Sequence, residues 1–142
     1  KLVGPYNERH KYLIQMARSY HVENWVEFLG AVERKNFGEV FADCFCGINL
    51  ITAKDSYTAY TLPAKVFDYL QYGLPVITTN NAGIISDVVS QKKLGLVIQP
   101  CVSDFIMAVK DIHEKRDIYQ KKISGYFSSI ANNNDLFKTL LK

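Results

Sequence analysis

A chain of 142 residues has the length of one domain with a real core. Hydrophobic residues at 48% and charged residues at 22% are ordinary for a globular protein, and the longest apolar run, Cys44 to Ile51, is far too short to span a bilayer. The formal net charge of +3 permits attraction to a nucleotide diphosphate or an anionic lipid and demands neither.

Taken in order, the pattern alternates strand and helix. Leu2-Val3 reads as the tail of a strand. Glu8 to Tyr20 is expected to be a helix, with Tyr12, Leu13, Met16 and Ala17 at core spacing. Trp25 to Leu29 reads as a strand ending at Gly30, and Glu33 to Asp43 as a helix with Phe37, Val40 and Phe41 inward. Phe45 to Ile51 is expected to be a strand, followed by a long loop from Thr52 to Leu62. Ile84 to Gln91 is a short helix and Leu96 to Gln99 a strand. Asp104 to Lys115 follows as a helix with Phe105, Val109 and Ile112 inside. Asp117 to Ile130 and Asp135 to Leu141 complete the helices, with a break at Asn132-Asn133-Asn134. Such alternation predicts an α/β fold, a Rossmann-like doubly wound parallel sheet flanked by helices.

The most informative segment is YTAYTLPAKVFDYLQYGLPVITT, Tyr57 to Thr79. Pro63 suits a helix start, Val66, Phe67 and Leu70 form an apolar stripe, and Lys65, Asp68 and Tyr72 fall on another face. Gly73 and Pro75 stop the helix, and Val76 to Thr79 reads as a buried strand. On spacing alone, Lys65 and Asp68 fit best as an i, i+3 ion pair worth roughly a few tenths of a kcal/mol.

P-x-K-x-x-D-Y-L-x-x-G-L-P-V-I resembles the donor-site signature of the C-terminal domain of retaining, group 1 glycosyltransferases of GT-B fold. Leu2-Val3-Gly4-Pro5, Val26-Glu27-Phe28-Leu29-Gly30 and Leu94-Gly95-Leu96-Val97 match in the same order along nearly the whole chain. The resemblance implies one half of a GT-B fold and a single nucleotide-sugar-binding domain over residues 1–142. It also implies a sugar moved from a nucleotide-diphosphate sugar to a glycan or lipid-linked acceptor. Asp68 would accept hydrogen bonds from a ribose diol. Thr61, Leu62 and Lys65 would face the diphosphate, and Gly30, Ala31 and Val32 would lie against the base, near the loop at Gly4. Where many members carry an acid eight positions before Asp68, this chain has Tyr60, which fits either a hydrogen bond to the donor or packing against the helix.

Full-length relatives open this domain with a strand and a Gly-Arg…Lys-Gly loop. The chain starts at Lys1-Leu2-Val3, so the resemblance implies a fragment lacking its first strand–helix unit and the N-terminal acceptor domain, inactive alone. Partners expected are the nucleotide sugar and that absent domain. A cytoplasmic location is expected, with peripheral association of the full-length enzyme at the inner face of the membrane. No cofactor or metal is expected. The basic residues Lys110, Lys115, Arg116, Lys121 and Lys122 read as a solvated helix face, or as a membrane-surface patch.

Other chemistries find little support. Cys44, Cys46 and Cys101 lack zinc-knuckle spacing and read as small buried hydrophobes. His10, His21 and His113 are expected at the surface, Ser56, Ser86 and Ser103 lie in no nucleophile elbow, and Gly4 lacks the further glycines of a dinucleotide fingerprint. The aromatics are not interleaved with a basic strip, so nucleic acid is not expected. Two alternatives stay open: a sugar-nucleotide 2-epimerase of GT-B architecture and a non-catalytic α/β interaction module.

Overall fold

The computed structural model describes residues 1–51 and 63–133, except for the side chains of 131–133. The chain forms two compact units, Lys1–Ala42 and Asp43–Lys142.

In the first unit, β1 (Leu2–Val3) and β2 (Phe28–Gly30) pair in parallel, Leu2 opposite Phe28 and Val3 opposite Gly30. Between them runs α1 (Glu8–Ser19), capped by Asn7, whose side chain accepts from the His10 amide at 3.1 Å. Its buried residues are His10 and Ala17, whereas Tyr12 is exposed and Met16 lies at the solvent boundary. The expected core stripe is therefore displaced, and His10, expected at the surface, is only 7% exposed. Trp25, expected to open a strand, is 87% exposed in a 3₁₀ turn, Glu23–Trp25, and the strand begins three residues later. The helix expected over Glu33 to Asp43 is a 3₁₀ turn, Arg34–Asn36, followed by α2 (Phe37–Phe41), with Phe37, Val40 and Phe41 half-buried.

The second unit is α/β and doubly wound. Strands β3 (Gly47–Asn49), β4 (Val76–Thr79) and β5 (Gly95–Ile98) lie parallel in that order. The helices are α3 (Ala64–Gln71), α4 (Ile84–Gln91), α5 (Val102–Glu114) and α6 (Arg116–Asn133). All four residues of β4 are buried, as a strand covered on both faces must be. Successive side chains of β4 enter opposite cores. Val76 packs with Val66, Leu70, Ile85, Val89 and Ile123 on one face, and Ile77 with Ile98, Ala108 and Ile112 on the other.

Strand β3 is shorter than Phe45 to Ile51, and its Ile48 and neighbouring Leu50 are exposed. Cys44 and Cys46 are half-buried and Cys101 is exposed, so the cysteines are not uniformly core residues. No break occurs at Asn132-Asn133, through which α6 continues. Asn134 and the helix expected over Asp135 to Leu141 lie outside the described residues.

Three helices end alike. After α3, Gly73 (φ +73°) donates to Leu70 O at 2.9 Å and Leu74 to Tyr69 O at 3.0 Å. That double closure is a Schellman motif, whose left-handed position favours glycine. The same pair of bonds closes α1 with His21 (φ 56°) and α4 with Lys93 (φ 55°) in that position.

Candidate functional site

In the first unit the predicted residues Gly4 and Gly30 meet where the two strands end. The Gly4 amide donates to Gly30 O at 2.8 Å. Gly30 has φ +68°, in the left-handed region, and a Cβ there would stand 3.4 Å from the Tyr6 ring. Tyr6 stacks on His10 with ring centroids 4.1 Å apart, and His10 leans on Phe28 at 5.1 Å. Ala31 is exposed and Val32 half-buried beyond this corner. Tyr6 and His10 were missed as part of it. Their i, i+4 spacing across the start of α1 is the signal that marks them.

In the second unit, α3 connects the carboxyl end of β3 to the amino end of β4, so its own start lies at the carboxyl side of the sheet. Pro63 (φ −63°) caps that start without a side-chain hydrogen bond. Val66 and Leu70 anchor the helix in the core, while Lys65 is exposed and Asp68 half-buried. Tyr60, Thr61 and Leu62 lie outside the described residues.

Residues 1–126 match the model of the family described as Glycosyl transferases group 1. The chain belongs to the group 1 glycosyl transferases. Neither a curated protein nor a solved structure matches it. Sugar transfer is thus the chemistry of its family, and the parallel, helix-flanked sheet fits the Rossmann-like half of a GT-B fold.

This group 1 glycosyl transferase domain has further polar groups at the carboxyl ends of its strands. Asn49, Thr78 and Thr79 are fully buried there, and Asn49 Oδ1 has no hydrogen-bond partner among the described residues. Just beyond, Asn80 Nδ2 donates to Gln99 Oε1 at 2.9 Å. Thr79, Ile98, Pro100, Cys101 and Phe105 line a mainly apolar cavity of about 260 Å³ beside them. The hydroxyls of Thr78 and Thr79 are not among the expected site residues; a pair of hydroxyls ending an apolar strand is the signal overlooked.

Burial holds the Tyr69 phenol above its ordinary pKa, and the Asp68 charge adds to the effect, so the hydroxyl stays a donor beside that carboxylate. The Cys46 thiol is pushed up to about 11, chiefly by burial and then by Cys44, which leaves it a poor nucleophile. Among the described residues no cluster of His, Cys, Asp or Glu could hold a metal ion, and no helix is long and apolar enough to cross a membrane.

Proposed function

We propose that this domain binds the donor of a glycosyltransferase that moves a sugar from a nucleotide-diphosphate sugar to a glycan or lipid-linked acceptor. Asp68 accepts the ribose hydroxyls, and Lys65 with the start of α3 faces the diphosphate. The loop at Gly30, Ala31 and Val32 takes the base, beside Gly4, and Tyr60, Thr61 and Leu62 complete the phosphate side. Charge develops on the leaving diphosphate in the transition state, so stabilising it is the domain's main contribution to catalysis. No metal or cofactor takes part. In the full-length enzyme, a preceding strand–helix unit adds phosphate contacts and an N-terminal domain brings the acceptor. The enzyme acts in the cytoplasm, peripheral to the inner face of the membrane.

The observation that carries this reading is the division of α3. Val66 and Leu70 fix one face in the core, while Lys65 and Asp68 stand on the rest of the helix, within the segment that resembles a donor-site signature. The test is a titration with UDP, GDP and their monophosphates followed by amide chemical shifts. Shifts at 30–32 and 64–68 with one nucleotide are expected. No response to any nucleotide, in this chain and in the full-length protein, would overturn the reading and favour an interaction module.

A further inference from the structure

A second cavity, of about 400 Å³, lies along β5 toward the amino end of the sheet, away from the strand ends just described. Pairing with β4 employs the carbonyls of Leu94 and Ile98, which accept from Val76 at 3.1 Å and Asn80 at 2.9 Å. Backbone groups alternate sides along a parallel strand, so Gly95 and Val97, opposite Val76 and Thr78 in register, turn their N–H groups away from β4. Both residues line the cleft.

Around this edge stand Lys93, Lys115 and Lys122, with Ser90 and Tyr119, and among the described residues no carboxylate lines the space. Asp111, which contacts two of the lining residues, is tied back: Lys115 pairs with it, and the Tyr119 hydroxyl donates to it at 2.8 Å. Neither Lys93 nor Lys122 has an ion-pair partner among the described residues. Lys93 is also the residue held left-handed at the end of α4, where glycine would be the relaxed choice. Two uncommitted ammonium groups, backbone donors of a sheet edge and a serine hydroxyl therefore border one concave space. Their shared chemistry is that of a phosphate receptor.

We propose that the cleft between the edge of β5 and the Lys93, Lys115 and Lys122 side chains is a phosphate-binding site separate from the donor site. The phosphate belongs either to a soluble phosphomonoester or to an anionic lipid headgroup, and both offer anionic phosphate oxygens to the same residues. Attraction through exposed ammonium groups makes binding weaken as salt rises.

The experiment has two arms. In one, inorganic phosphate and glycerol phosphate are titrated into the protein and amide shifts are followed at Ser90, Gly95 and Val97. In the other, the protein is floated with vesicles of phosphatidylcholine, with and without phosphatidylglycerol. Lys93→Gly and Lys122→Gln are run beside the parent in both. Lys93→Gly separates binding from folding, because it relieves the left-handed backbone and is expected to hold or raise the melting temperature. Each substitution should weaken phosphate or vesicle binding roughly fivefold, the effect of removing one exposed charge contact. A response to the small phosphates identifies a soluble ligand, and one confined to phosphatidylglycerol vesicles a headgroup. No response in either arm, or a response that either substitution leaves at full strength, overturns the site.

Discussion

Asn49 and Thr78 exchange two hydrogen bonds inside the sheet: Asn49 Nδ2 donates to Thr78 Oγ1 at 3.0 Å, and that hydroxyl donates to the Asn49 carbonyl at 3.1 Å. Thr79 repeats the arrangement one step on. Its Oγ1 accepts from the Ile51 amide at 2.9 Å and donates to the Ile51 carbonyl at 2.7 Å. Side-chain hydroxyls thus stand in for a strand partner at the carboxyl end of β3, where the chain leaves toward the signature helix.

Thr79→Val keeps the shape of the side chain and removes both of its bonds. The Ile51 amide and carbonyl then lose their partner in a half-buried setting, which should cost about 1–3 kcal/mol. Urea unfolding measures it. A change within error would mean that water satisfies both groups.

Asp68→Ala tests the proposed donor site. Losing a charge-assisted hydrogen bond should weaken nucleotide binding roughly tenfold or more. Stability should fall by less than about 1 kcal/mol, since the carboxylate is only half-buried. Calorimetric titration with the nucleotide beside a thermal melt separates the two. An unfolded domain with unchanged affinity in the remaining folded fraction would return Asp68 to a purely structural role.

Gly47→Ala probes the contact of α3 with β3. A Cβ at Gly47 would come within 2.2 Å of the Tyr69 ring, so the ring must move. Overpacking of this kind should destabilise by about 1–3 kcal/mol. In a double-mutant cycle, Tyr69→Ala should recover part of that loss; strict additivity would show that the ring already has room.

Acid should release the tie on Asp111. The Lys115 ammonium, followed by the Tyr119 hydroxyl, holds this carboxyl below its usual range. A depressed carboxyl contributes stability that is complete above its unfolded value, about 3.9, and is lost as pH falls through the folded one. Unfolding measured from neutral pH to pH 2 should show the parent converging on Asp111→Asn at the acid end. Parallel curves throughout would refute the linkage.

The parts most legible in the sequence were those where local signals and burial agree. Ile84 to Gln91 forms the expected helix residue for residue, with Ile85, Val88 and Val89 buried at helical spacing, and Val76 to Thr79 the expected strand, a β-branched run that follows the glycine stop at Gly73. Aromatics misled where they lie outside. Trp25 reads as a strand residue by type, yet sits exposed in a 3₁₀ turn. His10 misled in the opposite sense: a polar neighbourhood suggested the surface, and stacking between Tyr6 and Phe28 buries it. Gly4 with Gly30 is a contact between residues 26 positions apart, beyond the reach of any local window. The hydroxyl pairs of Thr78 and Thr79 depend on register with β3, which periodicity does not encode.

Because Val76 and Ile77 point into opposite cores, β4 cannot detach without opening both layers of the second unit at once. Its amides should therefore exchange with solvent deuterium only through the global unfolding reaction, while those of α1 and β2 exchange through smaller local openings. The strand that ends in Thr78 and Thr79 is then the slowest clock in the molecule, and its exchange rate reads out the stability of the whole second unit.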